Sequence, residues 1–354
     1  MLKRLNWHFI IFPFLIYCLG FMTILSTSPD RAINHLLYFF LGVIAYVVVV
    51  ILGHEVFLFF WKHLYAVTIC LLFITYIFAS PRFGSARWIQ FFGVNLQPSE
   101  FAKLTLVVIL AVVISKNRKK FNNFSVLFKL SIFILPLIGL VVMQPDLGTS
   151  IVLSAVVLGM FIAGGLNFKY IFFGLIIIGF LSSPLWEFLQ DYQKSRVLVF
   201  INPQIDSLGS GYNVIQAMIA VGSGGVWGKG FGMGTQSSLR FLPAYWTDFI
   251  FAAFSEEWGF VGSALLLFLY FSLLIAILLS YKKTSSLSGR LIIIGSFMVF
   301  LTQFVINVGM NLGIMPVTGL PLPLMSYGGS SMVVSFMFLG LLQSVWIKNN
   351  SVYT

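Results

Sequence analysis

Apolar residues run through this chain in long blocks, interrupted by short polar punctuation rather than alternating with it. Stretches such as "LGVIAYVVVVIL" and "GLIIIGFLSS" show no two-residue period. A transmembrane barrel requires that alternation in short segments. Several blocks instead approach the roughly 20 apolar residues needed to cross a bilayer as helix, and lipid-facing backbone must be helical or in a closed barrel. The pattern predicts an all-α, polytopic membrane helix bundle of about ten spans, near 8–26, 34–53, 64–80, 99–115, 130–144, 149–165, 169–187, 248–281, 290–312 and 329–347. The third and fifth are the weakest and read as tilted or short. The basic start and first apolar block lack a small-x-small cleavage site and are followed closely by a second span, so they read as an uncleaved helix. The whole chain, 1–354, reads as one membrane domain.

One connection departs from the short-loop pattern. Residues 188–247, between the seventh and eighth spans, form a long glycine-rich segment. Within it "YNVIQAMIAV" reads as a short helix with an apolar face for the bilayer surface. A connection this long inside a compact bundle is functional or disordered, and its aromatic and small residues argue for order.

Composition sharpens this picture. Hydrophobic residues make up 59% of the 354 and charged residues 9%, against about 25% charged in a soluble domain. Of the 21 Lys and Arg, thirteen fall on the side of the N-terminus, seven on the other side, and Lys103 lies within a helix. The positive-inside rule therefore places both termini in the cytoplasm. The net charge of +11 belongs mostly to the cytoplasmic surface, facing anionic lipid, and "KNRKK" at 116–120 reads as a topology anchor. Nucleic acid is not an expected partner. Cys18 and Cys70 lie in apolar runs and read as small packing residues. The four histidines lack ligand spacing.

Only ten residues are acidic, and three of them crowd into "TDFIFAAFSEEWG". Asp248 reads either as an acid complementing the start of the eighth helix, with Thr247 as its cap, or as a general base at the mouth of an outward cavity. Glu256, on a straight helix, lies about 12 Å further along and some 80° around. It is a cavity residue or one half of an internal ion pair, with Lys103 or with another helix. In "ARWIQFFGVNLQPSEFAKL", Arg87 and Trp88 precede the fourth span. Glu100 and Lys103 share a helix face three residues apart, as a structural salt bridge or as an anion-binding lysine tuned by a carboxylate. Asp146 in "QPDLGTS" is turn chemistry or a cap of the sixth span. "MPVTGLPLPLMSYGGSS" (315–331) has too many prolines and glycines for a plain helix and demands protein or a cavity around it. These four outer segments predict a site at one end of the bundle.

Taken together, "RWI…QPSEFAKL", "QPDLGTS", "GSGYNVIQAMIAVGSGGVWGKGFGMGTQSSLRFLP…TDFIFAAFSEEWG" and "NVGMNLGIMPVTGLPLPLMSYGGSS" resemble the SEDS family of RodA and FtsW, in order, from about residue 83 to the end. "GTQSS" and "GLPLPLMSYGG" are nearer its RodA branch. The resemblance implies ten spans in the bacterial inner membrane. It also implies an inverting peptidoglycan glycosyltransferase that polymerises lipid II into β-1,4 glycan for elongation and shape, paired with a class B penicillin-binding protein. The family's essential aspartate falls on Asp248 as general base. Arg87, Trp88, Glu100, Lys103, Asp146, Arg196 and Glu256 are the expected substrate-binding residues, with cations from Arg87, Lys103, Arg196 or a divalent ion (Mg or Mn) for the leaving group. One departure stands out: where the family commonly reads "LEFLPE.HTDF", this chain has "LRFLPAYWTDF", with Arg240, Ala244 and Trp246 replacing two glutamates and a histidine. Two other functions fit such a bundle, a lipid II flippase and a non-catalytic scaffold for a penicillin-binding protein.

Overall fold

The computed structural model describes residues 5–78, 88–91, 94–188, 191–206 and 209–351. Its long helices are α1 (His8–Thr27), α2 (Pro29–Leu52), α4 (Trp61–Phe78), α5 (Pro98–Lys116), α6 (Phe124–Met143), α7 (Leu147–Gly164), α8 (Phe168–Phe188), α12 (Ile250–Lys283), α13 (Leu287–Asn311) and α14 (Gly329–Ser351). Each coincides with one expected span. Shorter pieces lie between them: α3 (His54–Phe59), a hairpin of β1 (Ile89–Phe91) and β2 (Val94–Leu96), α9 (Asp191–Ile201), α10 (Ser210–Ser223) and α11 (Thr235–Ser238). The hairpin is antiparallel, pairing Ile89 with Leu96. Among the described residues, nine helices are long and apolar enough to cross a membrane.

Hydropathy does not distinguish a helix at the centre of such a bundle from one at its rim, because lipid and protein interior are equally apolar. The structure does. In α5 almost every residue from Pro98 to Ile114 is buried, and α13 and α14 bury most of their surfaces too. By contrast, α2 and α4 expose Ile33, Ile51, Phe73 and Phe78 to the surroundings. The central helices carry the polar interior: Ser296, Gln303, Asn307, Asn311 and Gln343 are all buried. Polar groups at membrane depth are stable only where protein satisfies them.

An unbroken α12 of 34 residues would measure about 51 Å, well beyond a hydrocarbon core of about 30 Å. It is in fact broken at Gly259, whose φ of 64° and ψ of −161° lie in a region essentially restricted to glycine. The freed backbone groups are met by the glycine-rich loop ahead of the helix. Glu256 O accepts from Lys229 N and Glu257 O from Gly230 N, both at 3.0 Å, while Phe260 N and Val261 N donate to Gly225 O and Val226 O at 2.9 and 3.1 Å. The fit is close: a Cβ on Gly228 would come within 2.1 Å of Glu257 O.

Three local expectations are revised. Asp248 lies in a turn two residues before α12, whose cap position is Phe249 with no side-chain cap. The Thr247 hydroxyl bonds Ala244 O (3.3 Å) rather than capping the helix. The expected surface helix is α10, but Val214, Ala217 and Ala220 are buried, and Ala217 and Ala220 pack with Leu242, Tyr245, Phe249, Ala252 and Ala253. It roofs the start of α12 and is not simply an amphipathic helix on the bilayer surface.

Candidate functional site

The segment 315–331 acts as a hub at the end of the bundle that carries Asp248. It is not helical before α14 begins at Gly329, and Gly319 and Leu324 take left-handed φ of 75° and 67°. Its polar backbone is satisfied from several directions. Asn307 Nδ2 donates to Leu320 O (2.8 Å), Tyr270 Oη to Pro323 O (2.5 Å) and Arg196 Nη1 to Thr318 O (3.1 Å). The Ser326 hydroxyl accepts from Leu322 N at 2.8 Å.

This hub holds the Asp248 turn. Ser326 Oγ donates to Thr247 O (2.7 Å) and Tyr327 N to Trp246 O (2.9 Å). Two asparagines one helical turn apart on α13, Asn307 and Asn311, donate to Asp248 O itself, at 3.0 and 3.1 Å. Asn311 Oδ1 also accepts from Ala252 N at 3.1 Å, so one side chain ties together the turn and the first residues of α12. The peptide carrying Asp248 is therefore fixed from α13 and from the hub, while Asp248 itself remains half-exposed. A rigid backbone at a partly exposed acid suits a positioned acid or base.

A second polar cluster joins α5, α7 and α14. Asp146 caps α7, accepting from Thr149 N (3.2 Å) and Thr149 Oγ1 (2.9 Å), and its Oδ2 also receives Ser99 Oγ (2.9 Å) and Gln97 Nε2 (3.0 Å). Gln97 N donates to Ser330 Oγ at 2.9 Å. Gly148 packs against Leu320 and Thr318 O. Glu100 and Lys103 form an ion pair at 2.7 Å within α5, both about 1% exposed.

The four segments singled out in the sequence thus converge, joined by direct hydrogen bonds. The individual side chains are placed differently. Asp248 is half-buried beside the hub, and Arg196 reaches the hub from α9. Asp146, Glu100 and Lys103 are buried beneath it. Trp88 is half-buried beside the hairpin, and Arg87 lies outside the described residues. Glu256 is completely buried, and its hydrogen bonds are made with the preceding loop: Lys229 Nζ (2.7 Å), Thr235 N (2.8 Å), Thr235 Oγ1 (3.0 Å) and Gln236 N (3.1 Å). The ion-pair partner is therefore Lys229 of the loop, not Lys103. Glu257 accepts from Ser26 Oγ of α1, and that same oxygen accepts from Gly232 N at 3.0 Å.

Reasoning from the sequence passed over Asn307, Asn311 and Ser326. Their signal was present, since two asparagines at i and i+4 in an apolar span carry a cost that only a partner on that face offsets. It also passed over Arg31, whose guanidinium stacks on Trp246 with 3.3 Å between its carbon and the ring centroid. No spacing rule links residues 215 positions apart. Among the described residues no group of three or more His, Cys, Asp or Glu side chains is arranged to hold a metal ion.

Comparisons with known proteins agree with this architecture. A family model for FtsW, RodA and SpoVE, described as a cell cycle protein, matches residues 6–351. The peptidoglycan glycosyltransferase MrdB of Escherichia coli K12 is 38% identical over 284 residues, covering 80% of this chain and 76% of the relative. RodA of Treponema pallidum, also a peptidoglycan glycosyltransferase, is 34% identical, covering 80% and 82%. Among solved structures, a chain of a peptidoglycan synthase complex that coordinates polymerization and crosslinking superposes with a TM-score of 0.83 at 29% identity, over 99% of both chains. The rod shape determining protein RodA of Thermus thermophilus superposes with a TM-score of 0.73 at 27% identity, over 97% of this chain and 96% of that one. The chain belongs to the FtsW/RodA/SpoVE family of polytopic membrane proteins.

Proposed function

We propose that this protein is a peptidoglycan glycosyltransferase of the cell-elongation type, polymerising lipid II at the outer face of the cytoplasmic membrane. Family membership supports the reaction class. The observation that carries the assignment of the base is the held peptide of Asp248, fixed by Asn307 and Asn311 at the mouth of the bundle.

In this reading the Asp248 carboxylate takes the proton of the acceptor sugar's 4-hydroxyl. The hydroxyl oxygen attacks the anomeric carbon of the donor, the bond to undecaprenyl diphosphate breaks with its electron pair on the leaving oxygen, and inversion gives a β-1,4 link. A positioned base contributes about 10²–10⁴-fold, and cations aimed at the departing diphosphate contribute through electrostatic stabilisation. Arg196 and Arg87 are assigned that role. The buried Glu100–Lys103 pair and Asp146 brace the floor beneath the hub.

The bias of Lys and Arg supports a cytoplasmic N- and C-terminus. The likeness to a chain of a peptidoglycan synthase complex supports a class B penicillin-binding protein as partner.

Purified protein given labelled lipid II is expected to make glycan chains, and Asp248→Ala to abolish them at unchanged thermal stability. Normal polymerisation by the alanine variant refutes the base. Transport of lipid II across liposomes without polymerisation, indifferent to Asp248, makes the protein a flippase. Intact complex formation with no polymerisation by the wild type under any condition makes it a scaffold.

A further inference from the structure

The charge that develops on a departing diphosphate needs a cation at the water line. Lys103 is committed to Glu100 inside the bundle, and one guanidinium nitrogen of Arg196 is bonded to Thr318 O. Arg31 stands differently. It lies in the first turn of α2, half-buried, and its guanidinium lies flat on the Trp246 indole, 3.3 Å from the ring centroid. Its hydrogen bond to Ser28 Oγ is long, at 3.5 Å, and it forms no ion pair with the described acids. Its neighbour Asp30 is exposed and, one residue away on a helix, does not face it.

Stacking uses the face of a guanidinium and leaves its edge N–H groups pointing outward. That fork matches two oxygens of a phosphate ester, and arginine sheds water for such a contact more readily than lysine. The platform is itself held, because Trp246 O accepts from Tyr327 N at 2.9 Å and Tyr245 meets the indole edge-on at 4.7 Å. Trp246 is two residues from Asp248, at most about 7 Å along the chain, so the stacked guanidinium belongs to the same turn as the proposed base. Tryptophan is the aromatic that supports a cation best.

We infer that Arg31, stacked on Trp246, forms a phosphate-ester site beside Asp248 that binds the diphosphate of the lipid-linked substrate. The inference rests on the polymerase reading. A phospholipid headgroup offers the same chemistry, and the experiment separates the two sources.

Binding of undecaprenyl diphosphate and steady-state polymerisation of lipid II are measured for the wild type, Arg31→Ala, Arg31→Lys and Trp246→His, in phosphatidylcholine vesicles with and without phosphatidylglycerol. Loss of one charge-assisted contact is worth about tenfold or more. Arg31→Ala is expected to weaken undecaprenyl diphosphate binding and raise KM by about tenfold, with a smaller loss in kcat. Arg31→Lys, which keeps charge but not fork, falls between, and Trp246→His weakens binding by a few-fold. The phosphatidylglycerol content makes no difference to these ratios. Equal binding and KM in the wild type and Arg31→Ala overturns the site. A defect seen only in phosphatidylglycerol vesicles reassigns Arg31 to a headgroup and overturns the diphosphate. Should Arg31→Ala not fold, an unchanged KM in both Arg31→Lys and Trp246→His is the overturning result. Because binding is read without turnover, an active Asp248→Ala sinks the base while leaving the Arg31 result standing.

Discussion

Asp248 and Glu256 lie eight residues apart, on either side of the start of α12, and the protein treats them in opposite ways. For Glu256 the carboxylate is what is held: both oxygens accept hydrogen bonds from the loop at 234–236, Lys229 pairs with it, and it has no exposure. For Asp248 it is the backbone, gripped at its carbonyl by Asn307 and Asn311, and the residue itself stays half-exposed. A carboxylate whose lone pairs are filled by protein donors organises structure. An acid whose main chain is fixed while the residue stays partly exposed fits the role of base proposed for it. Scarcity of acids in a membrane protein therefore does not by itself signal chemistry, since the same short stretch spends Glu256 on structure.

The sharpest way to break this contrast is to remove the charge of each acid in turn. Asp248→Asn is expected to lower polymerisation by about 10²–10⁴-fold with unchanged unfolding behaviour, read by glycan-chain gels and thermal unfolding. Glu256→Ala is expected to do the reverse. It orphans buried N–H groups of Thr235 and Gln236 and removes the partner of Lys229, costing about 2–4 kcal/mol of stability, with activity recovered at low temperature where the fold persists. An inactive but fully stable Glu256 variant would erase the distinction.

A smaller effect tests the grip on the peptide. Asn307→Ala and Asn311→Ala should each lower kcat by about tenfold with little change in KM, because the substrate contacts remain while the base loses its aim. Since both donors share one acceptor, the double variant should fall short of the summed single effects. Full additivity would mean the two asparagines act separately.

The smallest effect comes from the opposite end of the bundle. His54 is buried, with its N and Nδ1 at 2.7 and 2.9 Å from Ser344 Oγ. Burial first, and then the Lys348 ammonium, lower its pKa to about 4. Unfolded, the ring takes up a proton near pH 6.5, so the unfolded state binds more protons between those values. Its contribution to stability is complete above about pH 6.5 and is lost as pH falls towards 4. His54→Gln should flatten that part of the stability profile, measured by thermal unfolding across pH, without altering polymerisation at neutral pH.

Much of this architecture was legible from pattern. Every described long helix falls on a run the hydropathy marked, because the length of a span is dictated by bilayer thickness. Segment 315–331 announced its irregularity through its prolines and glycines, and the clustering of polar segments at one end followed from topology. What escaped was pairing. The break at Gly259 cannot be read from "SEEWGFVG" alone, because it exists only where the backbone of residues 225–230 is present to take up the freed groups. Glu256 resembled a cavity residue until that loop was seen folded over it, and Arg31 carried no signal until Trp246 lay beneath it.

The order of residues along the chain dictates where helix must span, which end each loop occupies and which residue types are available there, since these are local consequences of hydrophobicity and charge. Tertiary structure decides which helices stand at the centre, which carboxylate is consumed by the fold and which backbone is held at the mouth of the bundle. Those outcomes depend on hydrogen-bond partners brought together from distant parts of the chain, and inside a membrane such partners, rather than water, determine what each polar group can do.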